Sequence, residues 1–439
     1  MAKVVKFGGS SLASAEQFKK VGDIIRADKD RRYVVPSAPG KRYKEDTKVT
    51  DMLYGCYALA EKDMDFSNEL SAIRERYEEI ISGLNLKLSL DREFDAIAKN
   101  FTDKAGSDYA ASRGEYLNGI VMAEYLGFEF IDAASVIFFD DEGAFDADKT
   151  NNILGSRLSE CENAVIPGFY GSYCDGRVKT FSRGGSDVTG SIVAKAVKAD
   201  VYENWTDVSG FLIADPRIID NPQGIDTITY KELRELSYMG ASVLHEDAIF
   251  PVRKEGIPIN IRNTNMPEDN GTWIVGSTCQ KSRYVITGIA GKKGFCAINI
   301  EKDMMNSEIG FGRKVLQVFE ENDISFEHVP SGIDTMTVFV HQDEFADKEQ
   351  KVVAGINRSC SPDSIDIESD LALIAVVGRG MKSARGTAGR IFSALAHSKI
   401  NVKMIDQGSS ELNIIIGVTN DDFEDAIKAI YDIFVLTRL

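Results

Sequence analysis

Long apolar runs are missing from this chain of 439 residues. None approaches the ~18 consecutive apolar positions that a membrane-spanning helix needs. Cysteine is sparse: the six present (Cys56, Cys161, Cys174, Cys279, Cys296, Cys360) are scattered and form no C-x-x-C pair. With four dispersed histidines as the only other soft ligands, neither a disulfide framework nor a structural zinc site is expected. The N-terminus carries no charged-then-apolar leader and no cleavage site, so a cytoplasmic setting with reduced thiols is expected. Basic residues are outnumbered, 51 Lys and Arg against 68 Asp and Glu, a net charge of −17. That argues against a broad basic face for nucleic acid, although a local cluster of Lys and Arg still suits an anion. The acidity itself reads as solubility. Also absent are G-x-x-x-x-G-K-[ST], G-x-G-x-x-G and the H-R-D/D-F-G pair, which removes P-loop enzymes and protein kinases and leaves a Rossmann dehydrogenase poorly supported.

What is present starts at Lys3. Val4, Val5 and Phe7 make one short buried strand, and Gly8-Gly9 then allow a sharp turn with N–H groups facing a ligand. Ser14 reads as a helix N-cap, with Gln17 completing a capping box, and Phe18, Val21, Ile24 and Ile25 repeat at helical spacing. Such a turn before a helix suits a phosphate, with Lys6 supplying charge. It equally suits an ordinary strand-to-helix turn, and the residues alone leave both open. A second strand is expected over Arg32–Pro36, where Pro36 removes a sheet donor and predicts a local break. Lys41–Lys48 reads as a mobile charged loop, and residues 50–100 as a helical lid or lobe with Leu70, Ile73, Tyr77, Ile80 and Ile81 on one face. Ser112-Arg113-Gly114-Glu115 is expected just before an apolar helix, followed by strands at Glu129–Ile131, Val136–Phe139 and Ala164–Phe169. Val178–Phe181, then Arg183-Gly184-Gly185-Ser186-Asp187 and a helix, repeats the strand–glycine–helix logic. With Val201–Trp205, a helix at Tyr230–Tyr238 and Ile257–Arg262, the alternation argues for a mostly parallel sheet covered on both faces.

After about Gln280 two similar passes follow. Phe295–Ile300, Gly312–Glu321, Ile324–Val329, Met336–His341 and Lys348–Asn357 parallel Leu371–Val377, Gly386–His397, Asn401–Asp406, Leu412–Val418 and Asp422–Phe434. Each reads strand, helix, strand, strand, helix, which suits two ferredoxin-like modules. Asn-Asp-Ile-Ser (322–325) and Ser-Lys-Ile-Asn (398–401) occupy matching places.

The motifs Lys6-Phe7-Gly8-Gly9-Ser10-Ser11, Ser112-x-Gly114-Glu115, Phe181-x-Arg183-Gly184-Gly185-Ser186-Asp187 and Trp205-Thr206-Asp207-Val208 through Asp215-Pro216-Arg217 are similar, in this order, to aspartate kinases. The chain resembles the monofunctional kind, and the paired modules look like that family's ACT domains. The resemblance implies an α/β architecture: a three-layer αβα amino-acid-kinase (carbamate-kinase-like) domain over 1–280, then ACT domains over 281–369 and 370–439, with residues 283–291 a candidate for strand exchange between them. It implies ATP and Mg2+ as cofactors and L-aspartate as the substrate, phosphorylated on its β-carboxylate.

By the same resemblance Lys6 and Asp187 are catalytic, and Ser37, Thr50, Glu115 and Arg183 bind substrate. Lys6, Gly8, Gly9, Ser10, Thr206, Asp207, Leu212, Asp215, Arg217 and Ser242 belong to the nucleotide site. Chemically, the site must cancel repulsion between two anions and align attack, so lysine, arginine and backbone donors are the right groups. Asp207 and Asp215-Pro216 are also common turn residues, and Arg183 with Asp187 also suits a plain ion pair. The metal ligands are not assigned. Ser242 stands where the family commonly carries a phosphate-contacting lysine, which leaves two outcomes: Lys254, Lys231 or a shifted Lys41 compensates, or ATP binds more weakly. A catalytically weak or silent amino-acid sensor is the alternative. An amino-acid effector, lysine before threonine, is expected at Asn306, Ser307, Gly310, Phe311, Gly312, Glu327, Ser331 and Asp334, where a helix N-terminus suits a carboxylate and an acid suits an ammonium. A homodimer or dimer of dimers through the ACT modules is expected.

Overall fold

The computed structural model describes residues 1–182, 184–241, 244, 248–278 and 283–436. They form two compact units: Met1–Phe211, Gly224–Lys231 and Val243–Thr278 make the first, and Leu212–Gln223, Glu232–Ser242 and Cys279–Leu439 the second.

The first unit runs β1 (Lys3–Phe7), α1 (Ala15–Arg26), β2 (Arg31–Pro36), α2 (Val49–Glu61), α3 (Ser67–Gly83), α4 (Asp91–Thr102), α5 (Ser107–Leu126), β3 (Glu129–Phe130), α6 (Ala147–Ser159) and β4 (Ala164–Val165). It continues through β5 (Tyr170–Ser172), β6 (Val178–Thr180), α7 (Gly185–Ala196), β7 (Val201–Thr206), β8 (Thr227–Thr229), the start of α8 (Tyr230–Tyr238), α9 (Phe250–Glu255), β9 (Ile259–Asn263) and β10 (Thr272–Val275). Among the described residues the sheet order is β3-β4-β2-β1-β7-β9-β10-β8, parallel except where β10 meets β9. Val4, Val5 and Phe7 are fully buried, as the apolar run of a strand covered on both faces requires. Ser14 caps α1, accepting the Gln17 N–H at 3.4 Å. The box is only half made, because the Gln17 amide turns to Asn265 instead.

Several sequence expectations change. Pro36 does not break β2: it is the strand's last residue, opposite Phe7, and the Ser37 N–H carries the ladder one step further to the Phe7 carbonyl. The 50–100 helices are no separate lobe, since Leu53, Ile73, Tyr77, Phe94 and Phe101 share one core with Val5 and Phe7 of β1. The 41–48 loop is pinned by Asp46, held between Arg42 and Arg76. Val136–Phe139 makes only isolated bridges to Ser172 and Phe145. β6 pairs antiparallel with β5 in a separate ribbon, so the second glycine turn does not extend a strand of the main sheet as the first does. α6, α9, β8 and β10 carry patterns too short or too polar to stand out in the sequence.

The second unit takes up the rest of α8, then β11 (Gly288–Glu301), α10 (Phe311–Glu320), β12 (Phe326–His328), β13 (Thr335–His341), α11 (Gln342–Phe345), α12 (Glu349–Cys360), β14 (Ser364–Val377), α13 (Thr387–His397), β15 (Met404–Asp406), β16 (Asn413–Thr419) and α14 (Phe423–Tyr431). Its strands form one antiparallel sheet, β12-β13-β11-β14-β16-β15. The long strands β11 and β14 serve both halves: Gly288–Lys293 pairs with Ala372–Val377, and Ala297–Glu301 with Ser364–Glu368. The internal repeat extends to the backbone. Asp323 and Lys399 both take positive φ, 51° and 59°, and the next N–H in each case (Ile324, Ile400) returns to a helix carbonyl (Phe319, Leu395) at 3.0 Å. Each is a left-handed helix stop.

Candidate active site

Parallel sheets offer a ligand crevice where the strand order reverses, outside the carboxyl ends of the strands. Here the chain builds outward from β1 through β2 on one side and later through β7 on the other. Lys6, near the carboxyl end of β1, is only 8% exposed, and its Nζ lies 2.6 Å from Asp187 Oδ1. Asp187 sits in the first turn of α7, where the helix dipole favours an anion. Opposite Lys6 in register stands Asn204 of β7, whose amide donates to the same Asp187 oxygen at 2.7 Å. The Tyr202 hydroxyl, two residues back on the same face, donates to the Asp187 carbonyl at 3.1 Å. Asn204 was not among the expected site residues. Its signal was there: a polar amide at period two with Tyr202, inside a strand that should be apolar.

The first glycine turn differs in detail from the expected cradle. Gly8 has φ −69°, so no left-handed backbone is needed there. Its N–H donates to the Trp205 carbonyl at 3.0 Å and is not available to a phosphate. Gly9 is required for close approach: a Cβ there would lie 2.9 Å from the Ala38 carbonyl oxygen, and the Gly40 N–H reaches the Gly9 carbonyl at 2.8 Å. Gly9 and Ser10 open a 3-10 helix, Gly9–Leu12, so their N–H groups lack intrahelical acceptors. They remain the donors of the turn.

Ser112–Glu115 lies inside α5, not before it. Gly114 lets the helix approach the end of β2, since a Cβ would meet Ala38 Cβ at 2.8 Å, and the Tyr77 hydroxyl donates to its carbonyl at 2.7 Å. Glu115 is thereby buried, 5% exposed. The Ala38 N–H donates to its carboxylate, but Oε2 is buried without any hydrogen-bond partner. Burial pushes its carboxyl up to about 8, against the smaller pull of the Ala38 N–H and the Lys6 charge. Ser37 is held by its carbonyl, which accepts the Asn118 amide at 2.6 Å. Thr50 lies in the first turn of α2, whose approach is braced by the buried Arg76 through the carbonyls of Thr47 and Gly40. Arg183 and Ser242 lie outside the described residues.

The Thr206 hydroxyl bonds Asp207 at 3.2 Å at the end of β7. Leu212, Asp215 and Arg217 fall in the second unit. Asp215 accepts the Arg217 guanidinium and its backbone N–H, and the guanidinium bond holds its carboxyl below the usual range. At the effector positions, Asn306, Ser307, Gly310, Phe311 and Gly312 surround the start of α10. The Asn306 N–H reaches the Ile333 carbonyl at 3.1 Å, and the Lys302 N–H reaches that of Asp334 at 2.9 Å. Ser331 bridges Met336. Glu327 does not join them as expected. Met336, Val338 and Val340 of β13 point into the core beneath α10, while His341, one residue out of phase, takes Glu327 at 3.4 Å, and Tyr238 also hydrogen-bonds it. Alternation along the strands puts the acid on the other face.

Among the described residues no group of three or more His, Cys, Asp or Glu could cage a metal, and no helix is long and apolar enough to cross a membrane. Residues 1–263 match the amino acid kinase family and 374–434 the ACT domain. Aspartokinase 3 of Bacillus subtilis is 41% identical over 98% of both chains, and chloroplastic Aspartokinase 1 of Arabidopsis thaliana 28% identical over 98% of this chain and 80% of its own. The crystal structure of Clostridium acetobutylicum aspartate kinase superposes with a TM-score of 0.90 at 54% identity, over 98% of this chain and 99% of that one. Escherichia coli aspartokinase III, solved with aspartate and ADP, shares the fold along its whole length (TM-score 0.75, 24% identity). With Lys6 paired to Asp187 at the reversal point of the main sheet, a second unit that carries the ACT match and these relatives, the chain belongs to the aspartokinases of the amino acid kinase family, phosphotransferases that act on aspartate.

Proposed function

We propose that the first unit transfers the γ-phosphoryl group of ATP to the β-carboxylate of L-aspartate, giving 4-phospho-L-aspartate. The observation that carries this reading is Glu115 Oε2, buried, unpartnered and near the Lys6 charge. A buried carboxylate without a partner is costly, and the α-ammonium of an amino acid supplies the missing donors and charge. Ser37 and Thr50 would hydrogen-bond the same substrate, and Arg183 would take its α-carboxylate as a bidentate pair. Lys6 and the Gly9 and Ser10 N–H groups would stabilise charge on the transferring phosphoryl. A carboxylate nucleophile needs no general base, so Asp187 serves to orient Lys6 and the cation side of the nucleotide. Mg2+ would arrive on the nucleotide, neutralising phosphate charge, with one protein carboxylate at most beside it. Asp187 fits that part.

The same reading extends to a cytoplasmic enzyme at the entry to lysine, threonine and methionine synthesis, inhibited by an amino acid, lysine first, bound around the start of α10. Escherichia coli aspartokinase III, solved with lysine and aspartate in a T-state and with aspartate and ADP in an R-state, supports this. The domain limits proposed are 1–280, 281–369 and 370–439, with the early part of β11 serving the last module, supported by its pairing with β14 and by the ACT match at 374–434. Pairing of ACT modules between copies would make a dimer or dimer of dimers. A coupled-ADP or hydroxamate assay with L-aspartate tests the core of the proposal: aspartate-dependent ADP release is expected, and intact effector binding without turnover would overturn it in favour of a sensor.

A further inference from the structure

We infer that Asn204 is a positioning residue for the phosphoryl transfer, fixing the plane of the Asp187 carboxylate so that its unpaired oxygen faces the nucleotide. This rests on the proposed kinase reading and assigns a residue that reading does not use.

Asn204 is 3% exposed, in the middle of the main sheet between Lys6 of β1 and Ile261 of β9. A polar side chain buried there is retained only if it is hydrogen-bonded. Its amide donates to Asp187 Oδ1 at 2.7 Å and sits 3.5 Å from the Tyr202 hydroxyl. Lys6 donates to that same Oδ1 at 2.6 Å. Two strong donors on one oxygen leave the other, Oδ2, as the free face of a carboxylate whose side chain is 17% exposed. Tyr202 meanwhile holds the Asp187 backbone carbonyl, so both ends of the residue are anchored to β7. Were Lys6 the only partner, the carboxylate plane would tilt about the Cβ–Cγ bond at little cost, because such terminal torsions are broad. With Asn204 fixed by the strand, that tilt breaks a buried hydrogen bond. Oδ2 is then presented to a cation or water brought by the nucleotide, and Lys6 is held at the position where charge develops in transfer.

The test is Asn204→Leu and the isosteric Asn204→Asp, each compared with wild type by thermal melt, steady-state kinetics and calorimetric titration of ADP with and without Mg2+. Expected in folded variants is a fall in kcat of about 10- to 100-fold with KM for L-aspartate within about twofold. The enhancement of ADP affinity by Mg2+ should shrink about tenfold, while metal-free ADP affinity holds. Folded variants with wild-type kcat and an unchanged Mg2+ enhancement would overturn the inference, as would loss of fold in both, which would make Asn204 a packing residue. Aspartate-independent behaviour of the wild type itself would instead sink the kinase reading, and the Mg2+–ADP comparison would still decide the role of Asn204.

Discussion

The two carboxylates at the heart of the first unit are held in opposite ways. Asp187 is saturated on one oxygen by a lysine and an amide, at the start of a helix that favours its charge. Glu115, inside a long helix and pressed on the end of β2, has backbone donors and a bare oxygen, and burial drives it toward the neutral acid. The charge of the first group is paired before any ligand arrives. The second keeps an oxygen open to an incoming donor. On the proposed reading a kinase gains from this asymmetry, because the rigid end would position the transferring group while the unsatisfied end would select an ammonium.

Breaking the rigid end should do the most damage. Lys6→Ala removes the charge beside Asp187 and should cost about 10³-fold in kcat with the fold intact by circular dichroism; retained turnover would remove Lys6 from the mechanism. At the other end, Glu115→Gln should raise KM for aspartate by about 100-fold, as expected for loss of a charge-assisted pair, with little change in KM for ATP. A mutant losing affinity for both substrates equally would show that the two ends are not separable.

The pH response sharpens the contrast further. The folded-state pKa of Glu115, about 8, lies above its ordinary 4.5, so the folded chain binds the extra proton between those values. Its contribution to stability is therefore full below about pH 4.5 and is lost as pH rises through about 8. Substrate-free melts should show Glu115→Gln more stable than wild type at pH 8.5 and equal to it at pH 5. For the same reason aspartate should bind more tightly as pH rises from 6 to 8, releasing a proton that calorimetry in buffers of different ionisation enthalpy will count. A flat profile would mean that Glu115 is already ionised in the free enzyme.

Smaller effects are expected farther out. Arg76→Met leaves two loop carbonyls without their donor and Asp46 with Arg42 alone, and should destabilise by ~2 kcal/mol, with a modest rise in KM for aspartate through the Thr50 region. Glu327→Ala should leave both lysine inhibition and uninhibited turnover near normal, because its partners are His341 and Tyr238; weakened inhibition would return Glu327 to the effector positions around Asn306 and Asp334.

Much of this architecture is legible in the chain. The α1 register follows from Ser14 and the Phe18–Ile25 spacing, α8 from Tyr230–Tyr238, and the regulatory repeat down to its paired helix stops at Asp323 and Lys399. Lys6, Asp187 and Glu115 stand out by motif. Asn204 is marked only as a polar amide in an apolar strand; what it serves shows once Lys6 is known to lie beside it. Gly8 misled for a related reason: two glycines signal a close approach, but which N–H is already spent on Trp205 is a matter of pairing between strands some two hundred residues apart. Glu327 misled because its face depends on the phase of β13.

By itself, then, the sequence determined what depends on near neighbours: periodicity, caps, helix stops, the duplicated regulatory pattern and the identity of the charged groups. Tertiary structure decided what depends on distant ones. It placed the 50–100 helices in the main core, turned Glu327 away from α10, bonded Gly8 into the sheet, and left Glu115 Oε2 without a partner. Burial and hydrogen-bond saturation are properties of what surrounds a residue, and those surroundings come from segments far apart in the chain.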